Sequence, residues 1–493
     1  MRLEKLLIRQ KDNSAIAIKH GDKSIKYNEW YLQSSYVAQK LISKIKSESI
    51  NIAVFLPNSI NYAVSYFAVQ IIKRILIPIG IQAKEPEIIS TLNYCEVDLL
   101  ITDSHHAEEI KKVLISNKYS VTMYIIDLDE FVTDCTTKEF IPKTNCVEQK
   151  GSDEDVAIML HTSGTTNNPK RVMLTHRNLI TNVESNIKSL KLNQNDKVLI
   201  ALPMFFGYCN TAQFLTHLYL GATIVILDSI FLPKQFFQIV ERENITNFTG
   251  VPSMLLMFLN YRYSNKYNFD SLRYICFGGG KMPVDKLKQL IEQYPSVGFV
   301  QTYGQTECSP RVTALLPQYS IIKIGSVGTP IPNVQIRIIN ETGVPLPKNQ
   351  IGEIVVYGNN VMKGYYKQDE ITAQTIRDGW VYTGDLGYID GDGFLYLTGR
   401  IKNIIISGGI NIYPEEIEQL LIENECVEDA CVIGEEHPLL GEVPIARIIL
   451  KSPIEFDDLL KYCTSRLTDY KVPARIEIVT ELPKTYNGKI KRF

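Results

Sequence analysis

The chain has 493 residues, which at about 150 per folding unit points to roughly three units. Hydrophobic residues make up 45% and charged residues 22%, a globular composition that excludes a disordered or fibrous chain. With 52 Lys+Arg against 54 Asp+Glu the net charge is −2, which excludes the basic surplus of a dedicated nucleic-acid binder.

Residues 1–5 (MRLEK) are followed by no apolar signal-peptide core, which predicts a cytoplasmic protein. Residues 50–56 form an apolar run that stops at Pro57-Asn58, and 60–72 carry apolar residues at near-helical spacing. The most apolar stretch, 62–81, holds Lys73 and Arg74 at its middle, so no membrane span is expected. Short apolar runs at 76–79, 97–102, 157–159, 197–201, 222–227, 247–251, 274–277 and 299–302 read as strands alternating with helices. That rhythm implies parallel pairing with helices on both faces, and ligands then bind at the carboxyl ends of the strands.

After about residue 325 the rhythm changes. Strands at 334–339, 352–357 and 393–397, with turns at 340–343 and 390–393, predict an antiparallel, barrel-like piece. Past Gly399 a compact α+β pattern follows. Pro414 opens a helix with Ile417, Leu420 and Leu421 on one face; strands at 430–434 and 443–450, a helix at 456–467 and a strand at 475–479 complete it. The nine cysteines are scattered with no C-x-x-C pair, and the histidines cluster only at His105-His106. Reduced thiols and no structural metal site are the expectation.

Five segments carry chemistry. His161-Thr162-Ser163-Gly164-Thr165-Thr166-Asn167-Asn168-Pro169-Lys170 follows a strand and supplies hydroxyls, free N–H groups and an ammonium, the donors a polyphosphate needs; a plain Ser/Thr turn is the alternative. Its spacing is not that of a Walker A loop. Gln301 to Glu307 (QTYGQTE) offers an aromatic face, a hydroxyl and a carboxylate able to hold Mg²⁺, or else a simple strand-to-helix turn. Asp385, after Thr383-Gly384, is a candidate acceptor for ribose hydroxyls. Gly399-Arg400-Ile401-Lys402 leads to Ser407-Gly408-Gly409, and Pro483 to Lys489 (PKTYNGK) closes the chain.

In this order the five segments resemble the adenylate-forming superfamily of acyl-CoA synthetases, peptide-synthetase adenylation domains and beetle luciferases. The resemblance spans nearly the whole chain. It implies ATP-dependent, AMP-forming activation of a carboxylic acid to an acyl-adenylate, then transfer to a thiol, with ATP, Mg²⁺ and coenzyme A as cosubstrates. An acyl-carrier protein's phosphopantetheine is the alternative acceptor; a regulator that has lost catalysis and a light-emitting oxidase are more distant ones. The implied fold is α/β: a large N-terminal domain (1–399) of two parallel-rich αβ subdomains plus a small β-barrel-like piece, and a small, mobile α+β C-terminal domain (400–493).

The resemblance also distributes roles. Thr162, Ser163, Gly164, Thr165, Thr166 and Lys170 embrace the β- and γ-phosphates, and Thr165 joins Glu307 at the metal. Gly279, Gly280 and Lys281 border the adenine and the acyl pocket; Tyr303 stacks on adenine and Thr306 binds phosphate. Asp385, assisted by Arg400, takes the ribose, and Lys489 bridges the forming adenylate. Lys402 is the hinge and Gly409 lines the thiol tunnel. Phe206, Gly207, Tyr208, Gly280, Gly304 and Arg311 form the acyl pocket. Two positions depart from the family's phosphate loop: Asn167 and Arg171 stand where glycines are usual, and Arg171 is expected to pack outward rather than contact a phosphate, which is the alternative. Gly207 stands where amino-acid-activating domains carry an aspartate. A bare ammonium would be costly to bury beside it, so the acid is expected to lack an α-amine and to be fatty or aryl. Arg311 is expected either to meet a distal substrate group or, more simply, to make a surface or structural salt bridge.

Overall fold

Strands that are apolar on every residue need cover on both faces, and here they have it. Asn51–Phe55 is buried along its whole length, as are Leu99–Thr102 and Asn247–Gly250. A computed structural model describes residues 1–45, 51–127, 151–161, 170–227, 230–280, 282–407, 410–483 and 492.

Two large sheets form the N-terminal part. The first has nine strands in the order Thr329–Pro330, Arg311–Leu315, Gly298–Gly304, Tyr274–Phe277, Asn247–Gly250, Lys197–Ile200, Thr223–Ile226, Ile16–His20, Lys23–Lys26. The second has seven: Gly364–Tyr365, Arg171–Thr175, Val156–His161, Ile75–Ile79, Asn51–Phe55, Leu99–Thr102, Thr122–Ile125. The helices Tyr27–Ile42 and Ile60–Ile71 share one core with strands of both sheets. The second of these helices is apolar nearly all round. Ser59 caps it by accepting the Tyr62 N–H at 3.1 Å. Trp30 fills the centre of that core, edge-on to Phe67 at 5.4 Å and tilted against Phe214 at 5.8 Å.

Parallel pairing holds through the middle of both sheets. It fails where consecutive strands are joined by short links. Arg171–Thr175 runs antiparallel to Val156–His161, and Arg311–Leu315 antiparallel to Gly298–Gly304. A parallel crossover needs about a dozen residues or more, and these links are too short to supply one. The N-terminal hairpin Ile16–His20/Lys23–Lys26 has no counterpart among the elements expected from sequence; its second strand is mostly exposed and its apolar signal is weak.

The third sheet is antiparallel throughout, as expected: Val334–Ile339, Gly352–Gly358, Trp380–Ile389 and Ile376–Arg377 in order, with Leu395–Arg400 also on Trp380–Ile389. The fourth belongs to the small C-terminal part. It orders Ile410–Ile412, Ile405–Ser407, Gly441–Leu450 and Val427–His437, with Arg475–Ile478 alongside Gly441–Leu450. The helices Pro414–Glu423 and Phe456–Thr464 close a separate core around Ile405, Leu421, Val432 and Leu459. On the first of these helices Leu420 is only half-buried, and Glu418 takes its place in the interior.

Cys95, Cys209, Cys276, Cys308, Cys426, Cys431 and Cys463 are free thiols; Cys135 and Cys146 lie outside the described residues. Among the described residues no helix is long and apolar enough to cross a membrane.

Candidate active site

The strands Tyr274–Phe277 and Gly298–Gly304 are parallel neighbours, so their carboxyl ends open onto one edge. Beyond the first, Gly279 adopts φ +78° and no atom lies within 4 Å of where its Cβ would be. Gly279 and Gly280 are exposed, leaving bare backbone that a flat ring can approach. At the end of the second strand Gly304 is required by space, since a Cβ there would lie 1.8 Å from the Pro310 carbonyl oxygen.

Tyr303 sits between these turns, with its ring 8% exposed. Its hydroxyl donates to Asp385 Oδ2 at 2.8 Å. Burial first, and Asp385 next, push this phenol far above its usual range, so it stays a donor. Asp385 and Arg400 are register partners across the antiparallel pair Trp380–Ile389/Leu395–Arg400. That register brings Arg400 Nε to 2.7 Å from Asp385 Oδ1. Both oxygens of a buried carboxylate are thereby held, and its orientation is fixed.

Thr306 and Glu307 lie on the short turn Thr306–Cys308. Glu307 Oε1 accepts from the Tyr365 hydroxyl at 2.8 Å, and Lys170 Nζ stands 4.8 Å above the Tyr365 ring. Burial, then Glu307, raise the Tyr365 phenol, which therefore remains protonated. Tyr365 thus joins two predicted site residues from opposite sides. Nothing in the sequence marked it except Gly364-Tyr365-Tyr366. Its place comes from a two-residue strand paired to Arg171–Thr175, with Tyr365 opposite Val172.

Lys402 lies on the turn Ile401–Asn403. Its ammonium is held below its ordinary value by burial, then by Arg400, with Arg492 and Lys170 adding and Asp385 opposing. Four cations from three separate parts of the chain therefore share one field, the surroundings that a polyphosphate fits. Arg492, near the end of the chain, is anchored to the small domain. Its Nη1 and Nη2 meet the Glu418 carboxylate at 2.5 and 2.9 Å, and Nη1 also donates to the Val432 carbonyl. Nη2 reaches Glu415 Oε1, which accepts from Asn403 beside Lys402.

On the acyl side, Phe206 stacks obliquely on Phe205 with centroids 4.4 Å apart. A Cβ on Gly207 would be 3.2 Å from Leu160 Cδ1, 3.9 Å from Thr306 Cγ2 and 4.0 Å from Pro310 Cβ. Gly207 therefore lies against Thr306, with no charge in its own wall. The Tyr208 hydroxyl is 2.7 Å from Thr302 Oγ1.

Two expectations are corrected. Arg171 does not pack outward. It is 3% exposed, and its Nη2 donates to Thr91 Oγ1 at 2.5 Å on the helix Glu85–Tyr94. It faces His161 across the hairpin. Burial, then Arg171, hold that imidazole at about 4. Arg311 makes neither a surface contact nor a salt bridge among the described residues. It is 2% exposed, donates to Asn186 Oδ1 and lies 5.8 Å from the Tyr208 ring centroid. Both follow from register: each arginine begins the return strand of a hairpin whose faces are covered. Thr162, Ser163, Gly164, Thr165, Thr166, Asn167, Lys281, Gly409 and Lys489 lie outside the described residues.

Comparison with known proteins identifies the family. The family model described as AMP-binding enzyme matches residues 7–366, and that described as AMP-binding enzyme C-terminal domain matches residues 416–489. A feruloyl-CoA synthase of Amycolatopsis sp is 34% identical over 479 residues, covering 97% of this chain and 94% of the relative. The o-succinylbenzoate CoA synthetase of Bacillus subtilis in complex with its acyl-adenylate intermediate superposes with TM-score 0.88 at 29% identity, over 99% of this chain and 96% of that one. The same enzyme in complex with ATP and magnesium ion gives TM-score 0.87 at 29% identity, over 99% and 98%.

Proposed function

Because this chain belongs to the AMP-binding enzyme family and is an AMP-forming acid–thiol ligase of the acyl-CoA synthetase type, we propose that it activates an aryl carboxylic acid with Mg·ATP and delivers it to coenzyme A. The observation that carries the aryl reading is the wall at Gly207. An uncharged backbone lies against Thr306 there, flanked by Phe206, Tyr208 and Leu160. Aromatic walls suit a planar ring, and the missing aspartate leaves nothing to meet an ammonium.

The residues then divide the work. Exposed Gly279 and Gly280 receive the adenine against Tyr303, and Asp385, clamped by Tyr303 and Arg400, receives the ribose hydroxyls. Attack by the substrate carboxylate on the α-phosphate builds charge on phosphate oxygens. Lys170, Thr306 and Lys489 are assigned to stabilise it, with Thr162–Thr166 holding the outer phosphates. Glu307 fits Mg²⁺: it is a hard oxygen ligand, and the Tyr365 hydroxyl donates to one of its oxygens and fixes its orientation. Bound there with Thr165, the ion supplies charge neutralisation at the phosphates. The division of the chain near 399/400, rotation about Lys402 and a thiol path past Gly409 complete the assignment, one site serving two half-reactions in turn.

ATP–pyrophosphate exchange with Mg²⁺ against aryl, fatty and amino acid pools tests this. Exchange with the aryl pool, followed by an acyl-CoA on adding coenzyme A, is expected. Exchange with amino acids alone would overturn the pocket assignment, and transfer only to a carrier protein would overturn the acceptor.

A further inference from the structure

Building on the ligase assignment and the aryl-acid proposal, we propose that the acid carries a second carboxylate, remote from the one that is adenylated, and that Arg311 selects it. Arg311 is among the largest fully buried side chains of the protein. Its guanidinium pairs with no carboxylate among the described residues. It is held by Asn186 Oδ1, by the ring and hydroxyl of Tyr208 and by the Cys276 thiol, all of them uncharged, and its Nε–H has no acceptor. The other neighbouring titratable group, the Cys276 thiol, is driven up by burial against the pull of Arg311 and stays neutral. A buried cation held only by dipoles is an incomplete pair.

The surroundings are polar where an apolar floor would be expected. Asn186 donates onward to the Ala212 carbonyl and to Thr216 Oγ1. Asn182 holds the Arg311 carbonyl at 2.7 Å, while its own Oδ1 lacks a partner. The segment Asn210–Leu215 is a π-helical turn beginning two residues past Tyr208, and its Ala212 carbonyl is the one that Asn186 meets. Such turns recur at functional sites.

Tyr208 packs its ring on the Arg311 guanidinium and stands next in the chain to the acyl wall. It follows Gly207, which abuts Thr306, and its hydroxyl is hydrogen-bonded to Thr302 at 2.7 Å. For a substituent at Gly207 to reach the guanidinium, the Tyr208 ring has to turn about χ1 and give up that bond. A carboxylate arriving there accepts from the planar fork and completes the pair. A neutral ring substituent does not.

The test is ATP–pyrophosphate exchange by the full-length enzyme with a matched pair, 4-carboxycinnamate and 4-methylcinnamate. The expected kcat/KM is at least tenfold higher for the diacid, and Arg311→Met should lower the diacid-to-monoacid ratio at least tenfold. Arg311→Lys, which keeps the cation, should hold the ratio above one and decides the matter if the methionine variant no longer binds ATP. A wild-type ratio of one or below, with exchange intact, overturns this proposal and leaves the ligase assignment standing. So does a diacid preference that survives Arg311→Met. Exchange with neither acid, nor with any aryl acid, overturns the aryl-acid proposal and this one together.

Discussion

Two buried imidazoles should make the fold acid-labile. His176 is 1% exposed, and its Nδ1 accepts the Leu3 N–H at 3.0 Å. Burial, then Arg2 and the amino terminus, hold its pKa at about 3 against a pull from Asp153. His217, also 1% exposed, has Nδ1 2.7 Å from the Gln213 carbonyl, and burial holds it at about 4 against Gln213 and Asp196. Both are neutral when folded. The unfolded chain takes up protons below about pH 6.5, so stability falls as pH drops through that value and stops falling near the folded values. At pH 5.0 each histidine lies about 1.5 units below its unfolded pKa, which at about 1.4 kcal/mol per unit is roughly 2 kcal/mol. The pair gives about 4 kcal/mol. For a domain of about 400 residues with an unfolding entropy near 2.1 cal/mol/K per residue, that is about 5 °C in melting temperature. His161, half-buried and held at about 4, adds a smaller amount in the same direction. The assay is thermal melting at pH 7.5 and 5.0, comparing wild type with the double variant His176→Asn, His217→Asn, whose amides keep the acceptor and the donor. The variant should lose most of the 5 °C dependence. An equal pH dependence in the two proteins would refute the reasoning.

Other consequences are equally direct. Tyr365→Phe removes the hydrogen bond to Glu307 and keeps the ring under Lys170. A bond to a charged group is worth about 1.5–3 kcal/mol, so the Mg²⁺ concentration for half-maximal exchange should rise roughly tenfold or more, and an unchanged titration would contradict the role. Gly207→Asp sets a carboxylate against Leu160 and Thr306. Exchange with an aryl acid that bears no charge besides its reacting carboxylate should fall roughly thirtyfold or more, about 2 kcal/mol, and unaltered turnover would show the pocket misplaced. Arg492→Met strands Glu418, whose carboxyl burial already raises, at a cost of about 3–5 kcal/mol to the small domain. Early urea unfolding of that domain is the readout; an unshifted transition would count against the clamp.

Much of this was legible in the sequence, because strand ends and chemistry coincide in such folds. The run at 299–302 and the turn behind it marked Tyr303 and Glu307 by local pattern, whereas Gly279, behind the run at 274–277, was assigned only through the family resemblance. The positions that were missed depend on long-range register. Tyr365 reaches Glu307 only because a two-residue strand joins the edge of a distant sheet, and Arg492 reaches Glu418 across 74 residues. Arg171 and Arg311 resemble surface cations in one dimension. Their burial comes from hairpin return strands covered on both faces, which no composition window reports.

The central claim is tested most directly by product stoichiometry. Enzyme, Mg·ATP, coenzyme A and the best aryl acid from the exchange assay are combined, and AMP, pyrophosphate and thioester are quantified together. One AMP and one pyrophosphate per acyl-CoA is the predicted result. ADP and phosphate, or AMP and pyrophosphate with no coenzyme A thioester, would contradict it.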